Sequence, residues 1–166
     1  MRTLKIEPLT RMSFKPFGDV IDAKDASKTM LINEGFSTRF HDLADIDTSD
    51  KNGEICVSIF RTNPVEFPFF IRKLERHPLG SQMFIPMNGK PYLVVVTTGD
   101  KLKPDNVRAF LASPNQGVNF AKNTWHHFSL SLEPNSDFLV IDRKGPGSNL
   151  EEQSLDVPLR LLRPDI

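Results

Sequence analysis

Turn-forming residues break this sequence so often that no long helix fits between them. Thirteen prolines and nine glycines are spread along its 166 residues. Clusters recur at Lys51-Asn52-Gly53, Asn88-Gly89-Lys90-Pro91, Thr98-Gly99-Asp100, Ser113-Pro114-Asn115-Gln116-Gly117, Glu133-Pro134-Asn135-Ser136-Asp137 and Lys144-Gly145-Pro146-Gly147. Proline fixes φ in such places, glycine accepts positive φ, and Asn and Asp bond their own backbone, so each cluster sets a turn. The stretches between them are Ile55 to Arg61, Phe67 to Leu74, Gln82 to Pro86, Tyr92 to Thr98, Val107 to Leu111, Val118 to Phe120, Phe128 to Leu132 and Phe138 to Asp142, all rich in Val, Ile and Phe. Short apolar runs of this kind read as strands. Spaced by turns, they predict an all-β sandwich, barrel or jelly roll. Helix is expected only near Thr10 to Phe17, where Thr10 can cap a single turn before Pro16 interrupts it.

Charge and composition narrow the function classes. Lys and Arg number 21 and Asp and Glu 21, which leaves no net charge to draw the chain to nucleic acid or an anionic membrane. Hydrophobic residues make up 39% and charged residues 25%, a globular rather than disordered balance. One cysteine, Cys56, excludes an internal disulfide and any Cys-rich zinc framework, and fits a reducing compartment. The longest strongly apolar run, Tyr92 to Val96, is far too short to span a bilayer, and residues 1–9 alternate charged and apolar side chains unlike a signal peptide. A cytoplasmic protein is expected. No linker, repeat or low-complexity tract divides the chain, so residues 1–166 are read as one domain.

Four histidines, His41, His77, His126 and His127, carry any imidazole chemistry. Glu75 and His77 lie two residues apart, and in a strand such residues project from one face while Arg76 between them points away. Both can therefore enter a barrel lumen. Alternation sends only one of the adjacent pair His126 and His127 inward; His126 is taken as that residue and His127 as its packed neighbour. Plainer roles exist for each group. His77 before Pro78 suits a strand end, Glu75 a solvated carboxylate, Gln82 a hydrogen-bonding amide, His41 and Asp42 a local turn, and Trp125 simple packing.

Glu75, His77, Gln82 and Gly89 stand at the intervals of the first motif of the cupin superfamily, and Gly117, Asn123 and His126 at those of the second. Two ligand positions and the proline of those motifs are substituted. The wording of the segments is more specific: Leu74-Glu75-Arg76-His77-Pro78-Leu79-Gly80-Ser81-Gln82, Phe84-Ile85-Pro86, Gly117-Val118-Asn119-Phe120, Trp125-His126-His127 and Asp137-Phe138-Leu139-Val140-Ile141-Asp142-Arg143 resemble the ureidoglycolate lyase family, formerly called ureidoglycolate hydrolase. The resemblance runs over nearly the whole chain, including Phe17-Gly18-Asp19-Val20-Ile21, Arg39-Phe40-His41-Asp42-Leu43-Ala44 and Arg61. Phe120-Ala121 stands where relatives often carry Tyr-His, and Phe128-Ser129 where Pro-Leu is frequent, which removes any polar side chain from positions 120 and 121.

The resemblance implies a cupin-like antiparallel β-barrel, a jelly roll or double-stranded β-helix with few short helices, assembled as a homodimer. It implies a lyase that splits (S)-ureidoglycolate into glyoxylate and urea in allantoin and purine breakdown. It also implies a divalent metal, nickel being the ion associated with the family, and no nucleotide cofactor. On this sequence the catalytic residues are then Glu75, His77 and His126, and the same three with Gln82 hold the metal. Arg61, Gln82, Asn119 and His41 bind substrate, with Arg61 offering its guanidinium fork to the carboxylate. Without a metal, Glu75 and a histidine remain able to exchange the protons the reaction moves. The competing readings are a non-catalytic cupin that binds a small organic acid, and a lyase or hydrolase acting on a related ureido acid.

Overall fold

The computed structural model describes residues 1–24 and 26–166. In chain order the elements are β1 (Ile6–Pro8), α1 (Arg11–Phe14), β2 (Gly18–Ile21), β3 (Thr29–Ile32), β4 (Ser37–Phe40), β5 (Glu54–Thr62), β6 (Phe69–Arg76), β7 (Gln82–Pro86), β8 (Tyr92–Thr97), β9 (Arg108–Ala112), β10 (Gly117–Phe120), β11 (Trp125–His126), β12 (Leu130–Ser131), β13 (Ser136–Lys144) and β14 (Glu151–Leu161). A seven-stranded sheet runs β1-β9-β8-β11-β6-β14, with β12 also on β8. A five-stranded sheet runs β2-β10-β7-β13-β5, and β3 and β4 form a separate hairpin. Every ladder is antiparallel except β1 on β9. The architecture is the all-β, cupin-like one expected, with the larger sheet curled.

Strand β8 shows how the layers are held. It is buried on both faces, as its unbroken apolar run requires. Tyr92, Val94 and Val96 join Phe14, Phe110 and the small-sheet residues Phe84, Phe120 and Phe138 in the core between the sheets. Leu93 and Val95 point the other way, into a second core with Leu74, Trp125, Leu130 and Leu159. The aromatic rings between the sheets meet edge to face, as in Phe84 against Phe138 and Tyr92 against Phe138.

The single helical turn forms where expected. Thr10 caps it by accepting the Ser13 backbone N–H, Ser13 returns the bond to the Thr10 N–H, and Phe14 is driven fully into the inter-sheet core. Beside it, Gly18 adopts φ +144°, and a Cβ there would meet the Asn119 carbonyl oxygen at 1.9 Å. Only glycine lets β2 approach β10 so closely.

Four strands and a hairpin lie outside the sequence expectation: β1, β2, β11, β14 and the β3–β4 pair. β14 is the longest strand of the chain, yet Glu151, Glu152, Asp156 and Pro158 hide its pattern. It buries Leu155, Leu159 and Leu161, and its register on β6 shifts between Ser154 and Leu159, where Pro158 has no N–H to give a ladder. The run expected from Phe128 to Leu132 pairs only over Leu130–Ser131, leaving Phe128 exposed.

Candidate active site

Strand alternation places Arg76 on the outer face of β6, where its guanidinium lies 4.5 Å from the Trp125 ring centroid and pairs with Glu151. Glu75 and His77 consequently face the space between the sheets. Glu75 stands opposite His126 on β11 and opposite Glu152 on β14. His77 follows the last residue of β6 and is tied by its Nδ1, 2.7 Å from the Asn149 carbonyl oxygen. Gln82, the first residue of β7, pairs with Phe120 on β10 and is buried. His126 is fully buried with its ring stacked flat on Phe120, centroids 4.2 Å apart and planes 3° from parallel. The His77 and His126 rings are 5.2 Å apart. Phe120 thus supplies the floor under the buried histidine.

The hydrogen-bond partners assign the ring tautomers. A carbonyl oxygen only accepts, so His77 donates from Nδ1 to Asn149, and His126 donates from Nδ1 to the His127 carbonyl at 3.1 Å. On a neutral ring the Nε2 atom is then a bare lone pair. For His126, Nε2 is buried and has no hydrogen-bond partner among the described residues. For His77, Nε2 lies 3.2 Å from Gln82 Oε1. Gln82 cannot turn its amide to donate there, because its Nε2 donates to Asp142 Oδ2 at 3.1 Å and a carboxylate only accepts. A neutral His77 would set two lone pairs against each other across that gap, so either a proton on Nε2 or a metal cation belongs there.

Electron-rich atoms left unpaired in a buried site call for a cation. Glu75, His77 and His126 each offer a ligand atom, all within 4.8 Å of one another. Two imidazoles with carboxylate and amide oxygens suit a first-row divalent ion, so the residues present fit the metal that the family resemblance implies. Asn149 and Asp142 fix the orientations of the His77 ring and the Gln82 amide.

Burial sets the protonation states. It pushes the Glu75 carboxyl above its usual range; the charge of His77 opposes this, Glu152 adds to it and Lys73 opposes it. Burial also drives His126 down to about 3, with His77 adding to the effect, so the ring is neutral at working pH. His127, packed edge to face on Phe69, is driven by burial down to about 4. Both histidines titrate near 6.5 once unfolded. Below that pH the unfolded chain binds protons that the folded one refuses, so stability falls as pH drops from about 6.5 toward 4. The urea unfolding midpoint, followed with chelator present, is expected to decline across that window in the wild type and to decline less in His127→Phe.

Other sequence-selected residues lie elsewhere. Arg61 does not reach the cluster. It sits near the far end of β5, five residues beyond the Cys56 that pairs with Asp142, or roughly 17 Å along a strand. Its fork is closed on Asp137 at 2.8 and 2.9 Å. Asn119 is buried on the face of β10 opposite Phe120, and its amide donates to Asp19 Oδ2 and the Asp45 carbonyl. That bond ties the segment before β5 to the small sheet. His41 closes the β3–β4 hairpin through its N–H to the Lys28 carbonyl, and Asp42 takes φ +56°, the local-turn geometry. Arg143 is spent on the Asp50 and Pro146 carbonyls.

The crevice at the cluster is small, about 10 Å³, and is lined by Lys73, Leu74, Glu75, His126, His127, Phe128 and Glu152. A wider and more open groove, about 1040 Å³, lies along β1 and the C-terminus. It shares no residue with the cluster and holds no histidine, so size alone does not locate the chemistry.

Two facing sheets with a shielded pair of histidines and a carboxylate between them define a cupin-like barrel built around a small polar site. Comparison with known proteins makes the class specific. The family model for ureidoglycolate lyase matches residues 1–162. A ureidoglycolate lyase of Burkholderia mallei is 52% identical over 161 residues, covering 97% of this chain and 94% of the relative. Those of Brucella anthropi and Pseudomonas aeruginosa are each 51% identical, over 152 and 153 residues, covering 92% of this chain and 89% and 90% of the relatives. The chain belongs to the ureidoglycolate lyase family.

Proposed function

We propose that this chain is the enzyme that cleaves (S)-ureidoglycolate to glyoxylate and urea, and that Glu75, His77, Gln82 and His126 form its reaction site. The convergence of Glu75, His77 and His126 in a chain matched by the family model from residue 1 to 162 carries this reading.

The substrate carbon bears a hydroxyl, a carboxylate and a urea nitrogen. In the reaction the hydroxyl loses its proton, its O–H electron pair forms the aldehyde carbonyl, the C–N bond breaks and the departing nitrogen gains a proton. No water is consumed and nothing is oxidised. One group that takes the first proton and returns the second suffices. Glu75, shielded enough to hold a proton more readily than an ordinary carboxylate, is assigned that role. His77 and His126, fixed by carbonyls at Nδ1, stand beside Glu75 as imidazoles held in place for ligand or metal. A divalent cation, nickel by the family resemblance, would be held by His77, Gln82 and His126 with Glu75 as a further oxygen ligand, and would supply Lewis-acid polarisation of substrate oxygen; the proton role given to Glu75 is that of the carboxylate free of the ion.

Assembly as a homodimer in the cytoplasm completes the reading. The outward face of β5 exposes Ile55, Val57 and Ile59 at alternate positions, and the β3–β4 hairpin exposes Leu31 and Phe40. Rows of exposed apolar side chains are surface that a second copy would cover. Residues 1–166 are taken as one domain. The test of function is product release: purified protein given (S)-ureidoglycolate is expected to yield urea and glyoxylate in equal amounts above spontaneous decay, and no release above decay would refute it.

A further inference from the structure

Ureidoglycolate carries a carboxylate, and the cations near the reaction site are few. Arg61 is distant and bound to Asp137. Arg76 lies on the other face of β6, against Trp125. Lys122 is held by Asp47 and Asp50, and Arg143 by backbone carbonyls. Lys73 is different. It lies two residues before Glu75 on β6, lines the same crevice as Glu75 and His126, and its charge acts on both Glu75 and His127.

Its partner is Glu152, the residue that stands opposite Glu75 on β14. The two side chains are 53% and 45% exposed, and an ion pair that open to water is worth little. An incoming carboxylate can replace Glu152 at small cost. The pair also bounds a crevice with room for about one water, so ureidoglycolate enters only if a rim side chain moves.

We propose that Lys73 is the specificity-determining cation of the site: it leaves Glu152 and binds the carboxylate of the substrate, and of the glyoxylate product, beside Glu75. This rests on the lyase reading given above and names the group that selects an acid over a neutral ureido compound. Lys73 is a binding residue, so its loss weakens ground state and transition state together, raising KM more than it lowers kcat.

The test compares wild type with Lys73→Gln and Lys73→Arg. In Lys73→Gln, KM for ureidoglycolate and the glyoxylate inhibition constant are expected to rise about tenfold or more, the scale of a charge-assisted hydrogen bond. Inhibition by urea, which has no carboxylate, stays unchanged. Lys73→Arg restores most of the glyoxylate affinity. Glyoxylate binding by calorimetry gives the same comparison without turnover, so failure of the lyase reading, seen as wild type that binds glyoxylate but releases no product, is distinguishable from failure of this one. Glyoxylate affinity within twofold of wild type in folded Lys73→Gln, equal loss of urea and glyoxylate binding, or no rescue by arginine would overturn the proposal.

Discussion

Replacing Glu75 by glutamine is expected to lower kcat for ureidoglycolate cleavage by about a hundredfold or more while the protein keeps its fold, since general acid–base groups contribute about 10²–10⁴. The amide is nearly isosteric and fits the same half-buried position between β11 and β14. It cannot take a proton from the substrate hydroxyl or return one to nitrogen. KM should change much less than kcat, because the lost interaction belongs to the proton transfer. Steady-state kinetics with a melting curve on the same sample separates this outcome from unfolding. Turnover within threefold of wild type would remove Glu75 from the chemistry.

The second large effect is expected at the two histidines. His77→Ala and His126→Ala each remove an imidazole of the cluster, His77 with its Nε2 against Gln82 Oε1 and His126 with its Nε2 unpartnered among the described residues. Each variant should hold at least tenfold less nickel than wild type, read by equilibrium dialysis and elemental analysis, and should lose turnover by at least tenfold. His126→Ala carries an added cost, because removing a fully buried ring stacked on Phe120 leaves a cavity. His77 is only part-buried, so His77→Ala gives the cleaner reading of metal affinity. The double variant should lose little more than the worse single one, since the two nitrogens serve one ion. Nickel affinity unchanged in both variants would remove the metal from this site.

Much of this was legible from residue order. The i, i+2 relation of Glu75 and His77 set them on one face and Arg76 on the other, because strand alternation is a geometric constant. Turn clusters located most central strands for a similar reason: proline and glycine act locally. Other features depend on partners distant in sequence. β11 is two residues long and exists because β6 and β8 flank it, and β14 forms because β6 offers a free edge, despite an acidic and proline-bearing sequence. The orientation of His77 comes from the carbonyl of Asn149, a backbone group that leaves no trace in residue type. Arg61 was singled out for its guanidinium, yet what decides its role is the register of β5 on β13, which sets Asp137 directly opposite. Lys73 and Glu152 escaped notice because an exposed Lys–Glu pair is ordinary until β14 brings it beside Glu75.

A crystal structure with glyoxylate bound is the most direct measurement of where the reaction takes place. Product density is expected between the sheets, against Glu75, His77 and His126, with its carboxylate turned toward the rim of β6. Density confined to the open groove along β1 and the C-terminus, with the histidine cluster unchanged, would contradict the assignment of the reaction to that cluster.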